Sequence, residues 1–147
     1  MEQKDKELLL KDLCARLPYG VCAKLPNHHL VEHVYKIEEI NMRSGWTTGV
    51  LECAGRKKIY SAKIEDCKPY LKPMESITTE EREFLKKMAL ENTVKCFEEE
   101  NPKKIFSLTI QRDAEELAYC YKHHYDVFGL IPKDLALSTE VFNPYKD

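Results

Sequence analysis

Leucines recur at helical spacing near the start of the chain, flanked by Cys14. They are Leu9, Leu10, Leu13 and Leu17. Because residues three and four apart share a helix face, this spacing predicts an α-helix over about residues 5–17, which Pro18 ends. The polar residues of the same stretch are predicted to lie outside: Lys6, Lys11, Asp12 and Arg16.

Between about residues 19 and 70 the pattern changes to short runs rich in β-branched and aromatic residues, separated by turn residues. The predicted strands cover residues 20–25, 30–40, 46–53 and 57–64. In the second run both faces carry apolar residues, which fits a strongly curved sheet. The connections leave no room for crossover helices, so the strands must be antiparallel. We predict a small SH3-like barrel or a similar rolled meander.

The remainder of the chain is predicted to be mainly helical. Thr78 and Glu81 have the spacing of a capping box, and an apolar stripe then continues to the break at Asn101 and Pro102. A short strand is predicted over residues 105–110. A third helix follows Asp113, with an apolar stripe at Leu117, Cys120, Tyr121 and His124. From residue 125 onward we expect an ordered coil packed on the body.

These elements predict an α+β protein. An N-terminal helix and a small antiparallel barrel occupy residues 1–75, and a helical extension occupies residues 76–147. At 147 residues the chain has the size of one domain, so we expect the two parts to form one compact unit.

The charge balance excludes a surface devoted wholly to nucleic acid or anionic lipid. Lys and Arg number 23 against 25 Asp and Glu, which gives a formal net charge of −2. No apolar run is long enough to span a bilayer, and the first residues lack the apolar core of a secretory signal. We therefore expect a cytoplasmic protein that does not bind membranes.

Neither the cysteines nor the histidines form a recognisable reactive or metal-binding motif. The six cysteines are scattered without a CxxC pair and are predicted to be small buried apolar residues. The histidines form two clusters, His28 with His29 and His33, and His123 with His124. In a strand, His29 and His33 are too far apart for one ion. Cys120 and His124 share a helical packing stripe, which indicates core packing more than a nucleophile and its base.

Phosphate-binding loops are also absent, because the glycines form neither nucleotide-binding pattern. We therefore predict no cofactor, no metal and no catalytic residues.

A basic and aromatic segment is the strongest candidate for nucleic-acid contact. Its residues are Arg56, Lys57, Lys58, Tyr60 and Lys63. Lys68, Tyr70 and Lys72 follow. Small barrels bind single strands by combining a cationic groove with exposed aromatic rings. The alternative is an ordinary solvated hairpin, with Tyr60 packed inside.

Trp46 is the single tryptophan and follows a Ser44-Gly45 turn. A buried anchor is the favoured interpretation, and an interface hot spot is the alternative.

Three segments resemble a family of uncharacterised proteins encoded by gut anaerobic bacteria and their phages or mobile elements. The segments are LLLKDLCARLPYGV (8–21), CKPYLKPMESITTEE (67–81) and YDVFGLIPKDLAL (125–137). The family has no known activity, so the resemblance implies no functional residues. It does imply a bacterial or phage cytosolic setting. It also implies that the Tyr-Asp-x-x-Gly-Leu-Ile segment is a structural closing motif.

Two function hypotheses follow from the absence of a catalytic signature. The first is a non-catalytic protein-interaction or accessory module with an unknown protein partner. The second is a nucleic-acid-associated protein that uses residues 56–72. An enzyme, whose site would have to be assembled from residues distant in sequence, ranks third. The oligomeric state stays open.

Overall fold

The computed structural model describes residues 1–26, 34–53, 56–87 and 114–145, with residues 51–53 described by their backbone only. The predicted N-terminal helix is confirmed as α1, Gln3–Arg16. Leu9 and Leu13 are fully buried on its inner side. A single 3-10 turn at Leu17–Tyr19 follows, and Gly20 ends it with a left-handed φ of 71°. The apolar spacing therefore located both the helix and its buried face.

Six strands form one sheet in the order β4-β3-β2-β1-β5-β6. They are β1 (Cys22–Lys24), β2 (Val34–Asn41), β3 (Trp46–Cys53), β4 (Arg56–Lys63), β5 (Lys68–Leu71) and β6 (Leu137–Ser138). Neighbours are antiparallel except β5 and β6, which are parallel. The α+β class is thus observed.

The predicted closed barrel was wrong. The described strands form an open sheet, because the far side of β5 pairs with β6 from the C-terminal segment and not with β4. Within the described part of the chain, β4 and β6 are the two edges of the sheet.

A tight turn over residues 41–45 connects β2 to β3. The Asn41 side-chain oxygen accepts hydrogen bonds from the backbone N–H groups of Arg43 (3.1 Å) and Ser44 (3.0 Å). Gly45 has a φ of 72°, a region that non-glycine residues rarely adopt. The sequence therefore fixes where this hairpin turns and in which register β3 begins.

The core lies between α1, the sheet and the C-terminal segment. It includes Leu9 and Leu13 from α1, Tyr35 and Ile37 from β2, and Leu130. At the centre of the core, Gly49 lets the β3 backbone pack closely against Leu25 and Tyr35. An added Cβ there would lie 2.8 Å from both the Leu25 Cδ1 and the Tyr35 Cβ.

The prediction that Asp12 and Arg16 lie outside was wrong. Both side chains are fully buried and form a two-point ion pair, with both N–O distances 2.8 Å. Arg16 also donates to the backbone oxygen of Tyr125, and its guanidinium lies over the Tyr121 ring. The ion pair, the hydrogen bond and the ring contact replace part of the hydration that the buried charges lose.

The C-terminal part is partly helical and partly turns. Residues 79–87 and 114–122 are helical, and the Glu81 N–H donates to the Thr78 Oγ1 at 3.1 Å, as the predicted cap requires. The Glu81 carboxylate accepts a hydrogen bond from the Tyr125 hydroxyl. Asp126 accepts from the N–H groups of Leu130 (2.8 Å) and Ile131 (2.9 Å), which closes a turn in the tail.

Some predictions lie outside the described residues. They are the strand over residues 105–110, the continuation of the second helix, and the cluster of His28, His29 and His33. Among the helices that the structure describes, none is long and apolar enough to cross a membrane.

Candidate functional site

The hairpin of β3 and β4 carries the candidate residues that the sequence singled out. Its register runs without a break from Trp46 opposite Lys63 to Cys53 opposite Arg56. Directly opposite residues on antiparallel strands point to the same side of a sheet. Trp46 and Lys63 therefore share one face, although they are far apart in the sequence.

The buried neighbours identify which face this is. Thr47 and Ala62 are buried and opposite each other, and the Thr47 hydroxyl donates to the Ala62 oxygen at 3.1 Å. Because side chains alternate along a strand, the residues next to them point away from the core. We call this outward surface the hairpin face. It includes Trp46, Thr48 and the buried Val50 of β3, and Lys57, Ile59, Ser61 and Lys63 of β4, and Glu52 of β3 lies opposite Lys57 in the register.

The favoured prediction that Trp46 is buried was wrong, because its side chain is 43% exposed. Thr47 takes the inward position at the start of β3, and alternation then turns Trp46 outward. Ile59 on the same face is 69% exposed. The hairpin face thus presents two large apolar side chains to solvent, beside the ammonium group of Lys63.

The predicted basic and aromatic segment does not form a single surface. Lys57 and Lys63 lie on the hairpin face, while Arg56 and Lys58 alternate to the other side of β4. All four cations are exposed. These four cations lie along one strand, and that strand is last in the sheet order. β4 is therefore a strongly basic edge of the described sheet.

Tyr60 is the aromatic member of that segment, and it points inward. Its ring packs edge-to-face on the buried ring of Tyr35, with centroids 5.0 Å apart. Tyr60 therefore packs inside, as the alternative interpretation of this segment expects. Tyr70 lies on β5, which β3, β2 and β1 separate from β4 in the sheet order. Trp46 is the aromatic residue of the hairpin face that lies beside a cation, directly opposite Lys63.

The second candidate site is a concave one, where the C-terminal segment crosses the sheet. It is a partly open pocket of about 430 Å³. Its lining residues are Lys24, Val34, Tyr70, Leu137, Ser138, Val141 and Phe142. Tyr70 and Phe142 make an edge-to-face contact at 5.8 Å. Sequence reasoning missed this pocket because its walls come from four separated parts of the chain.

Tyr145 holds the C-terminal segment beside this pocket. Its hydroxyl donates to the Tyr70 oxygen (2.8 Å) and accepts from the Cys22 N–H (3.0 Å). Its ring stacks on His124, with centroids 3.7 Å apart. Burial, together with the nearby charges of Arg16 and Lys72, lowers the pKa of His124 to about 4, so the imidazole is neutral at pH 7.

The described cysteines are held in their neutral form. Burial raises the pKa of the Cys67 thiol to about 12 and also raises the pKa of Cys14, Cys22 and Cys120. A nucleophilic cysteine needs the opposite shift. Cys120 and His124 are both buried, and the hydrogen bonds found among the described residues do not join them.

Within residues 1–26, 34–53, 56–87 and 114–145, no group of three or more His, Cys, Asp or Glu side chains is placed to hold a metal ion. The described residues therefore offer an exposed hairpin face and a small apolar pocket as candidate sites.

Comparison with known proteins adds no relative to this geometry. No family model, no curated protein and no solved structure matches the chain.

Proposed function

We propose that this chain is a non-catalytic protein-interaction or accessory module that binds a protein partner through the hairpin face. The observation that carries the proposal is the exposed Trp46, directly opposite Lys63 and on the same face as the exposed Ile59. Large apolar side chains exposed on one face, with polar residues beside them, are typical of interaction sites. The bacterial or phage setting implied by the sequence resemblance belongs to the same proposal.

The framework of the module is proposed to be an SH3-like roll. Strands β2, β3 and β4 form a meander, and β1 lies between β2 and β5. A single 3-10 turn at Ile64–Asp66 leads from β4 into β5. This strand path supports the SH3-like assignment, and β6 is an addition to it. The roll would hold the hairpin face rigid, so little conformational entropy is lost when a partner binds.

The chemistry of the hairpin face fits protein recognition. Tryptophan is enriched among the residues that dominate interface energies, and its truncation there typically costs about 2 kcal/mol or more. Lys63 adds a cation at the rim of the same contact, where charge affects orientation and association rate more than affinity.

The first test compares the tagged full chain with its Trp46→Ala variant in capture experiments from a cell lysate, with and without nuclease. We expect a stoichiometric protein partner that survives nuclease and is lost from Trp46→Ala. Phe84→Ala is the matched control, because Phe84 is 54% exposed but lies on the helix over residues 79–87, away from both candidate sites. A partner retained by Trp46→Ala, or the absence of any nuclease-resistant partner, would contradict the proposal.

Single-stranded nucleic acid is the second candidate ligand. The observation that favours it is the position of Trp46 beside Lys63, because an exposed ring can stack on a base while a neighbouring cation contacts phosphate. Tyr60, which packs on Tyr35, has no part in this version.

Titration of a labelled oligonucleotide tests this candidate directly. Binding should weaken steeply with salt and weaken further in Lys57→Glu and Lys63→Glu. Lys58→Glu should have less effect, since Lys58 lies on the other side of β4. Binding that ignores both salt and these substitutions would rule the candidate out.

A further inference from the structure

Strand β4 has an unpaired side in the described sheet. Its eight residues pair with β3 throughout, and no other described strand lies along it. The backbone N–H and C=O groups of alternate residues point to opposite sides of a strand. Half of the polar backbone groups of β4 therefore face away from β3, in the arrangement that accepts a further strand.

The charge of β4 distinguishes between possible occupants of this edge. The strand reads RKKIYSAK, with four cations and no acidic residue. In the fully overlapped antiparallel pairing of two copies, Arg56 of one chain would lie opposite Lys63 of the other. Like charges directly opposite each other destabilise a strand pair. A second copy of this chain is therefore a poor occupant.

An acidic extended segment has the complementary charge. We propose that β4 is a docking edge for an extended acidic segment of a partner protein, which adds to the sheet as a further strand beside Arg56–Lys63. This inference rests on the proposed interaction function and names the chemistry of the partner. Main-chain hydrogen bonds would provide most of the affinity, and the side chains at alternate positions would provide specificity.

The hairpin face also sets the sequence pattern of that segment. Ile59 and Lys63 lie on one face of β4, four residues apart, while Lys57 on that face lies opposite Glu52 of β3. An added strand would meet them with side chains at the same spacing. The best segment has an apolar residue to meet Ile59 and an acidic residue four positions away to meet Lys63.

The test begins with selection of random displayed peptides, long enough to span β4, against the full chain. We expect the enriched sequences to carry an apolar residue and an acidic residue four positions away. One enriched peptide is then titrated against the Lys58→Glu, Lys63→Glu double variant of the same strand, where binding should be about tenfold weaker. Lys4→Glu with Lys122→Glu is the matched control, because both lysines are exposed and lie on other elements.

A backbone measurement separates strand addition from simple charge attraction. Adding the peptide should slow amide hydrogen exchange at alternate residues of β4. A copy of the peptide that is N-methylated along the docking edge should no longer bind, while a copy methylated along the opposite edge should still bind.

Three results would overturn the inference. They are a selection without this acidic and apolar pattern, equal binding by the double variant, and unchanged exchange at β4. If any of these occurred while partner capture still depended on Trp46, the docking edge would fail and the proposed function would stand. Loss of the Trp46 dependence would instead remove the proposed function.

Discussion

At the scale of single residues, Asp12 and Arg16 show how far the identity of a residue predicts its burial. Charged residues are usually exposed, and the leucine stripe of α1 predicts that these two face outward. Their spacing of four residues does allow them to pair on a helix. In the folded protein, Arg16 also donates to the Tyr125 carbonyl, which lies 109 residues away in the sequence. No local pattern contains that partner, so the burial could not be predicted.

Gly49 should tolerate no larger residue. A Cβ at this position would lie 2.8 Å from the Tyr35 Cβ, which cannot move without shifting β2. We expect Gly49→Ala to lower the free energy of unfolding by about 1 to 3 kcal/mol in urea denaturation. Ser61→Ala, at an exposed position of the adjacent strand, is the control and should change it by less than about 0.5 kcal/mol. If the two variants were equally stable, the close packing around Gly49 would be contradicted, because β2 and β3 would have moved apart at little cost.

His124 should make stability depend on pH below neutrality. Its folded pKa of about 4 lies below the ordinary value of 6.5, so the unfolded chain takes up a proton that the folded chain excludes. The free energy of unfolding should therefore fall as the pH falls from 6.5 towards 4 and should not change above that window on account of this group. Allowing for screening by solvent, we expect a loss of about 1 to 2 kcal/mol.

Denaturation of the His124→Asn variant across this pH window provides the measurement. Asn is chosen because residue 124 has a φ of 62°, a region that Asn tolerates better than most residues. The variant should show a flatter pH profile than the parent chain. His123→Asn should flatten it less, since His123 is only half-buried. Identical profiles for the parent and His124→Asn would contradict the assignment.

At the scale of elements, the bounds of β3 and β4 were predicted more accurately than the side of the sheet to which their side chains point. The predicted run over residues 46–53 coincides with β3, and the run over 57–64 differs from β4 by one residue at each end. The face of Trp46 was predicted wrongly, because a shift of one residue exchanges the two sides of a strand. The Asn41 turn and the inward Thr47 decide that register together.

Tyr145 is expected to fix the C-terminal segment to two strands at once. Tyr145→Phe removes the hydroxyl that bridges the half-buried Cys22 N–H and the oxygen of the buried Tyr70, so both of these hydrogen bonds are lost. We expect a loss of about 1 to 3 kcal/mol in stability and faster amide exchange at Cys22. Tyr19→Phe on the exposed 3-10 turn serves as the control. If Cys22 exchanged at the same rate in both variants, the anchoring role would be refuted.

At the scale of the whole molecule, contacts join the two ends of the chain. Arg16 of α1 bonds to Tyr125, and Tyr145 bonds to β1 and β5. We therefore expect the N-terminal and C-terminal parts to unfold together. In urea, the fluorescence of Trp46, the single tryptophan, should follow the same transition as the far-ultraviolet circular dichroism. Two separate transitions would show that the parts fold independently.

The sequence by itself determined α1, the strands β1 to β4, the turn before Trp46 and the cap at Thr78, because each depends on residues within a few positions of one another. Tertiary structure decided that the sheet is open, that Asp12 and Arg16 are buried, and that Trp46 lies beside Lys63. It also built the pocket next to Tyr70. Each of these features joins groups that are distant in the chain, and a one-dimensional pattern does not record which distant groups meet. The candidate site belongs to this second kind, so its residues could be named from the sequence but not assembled.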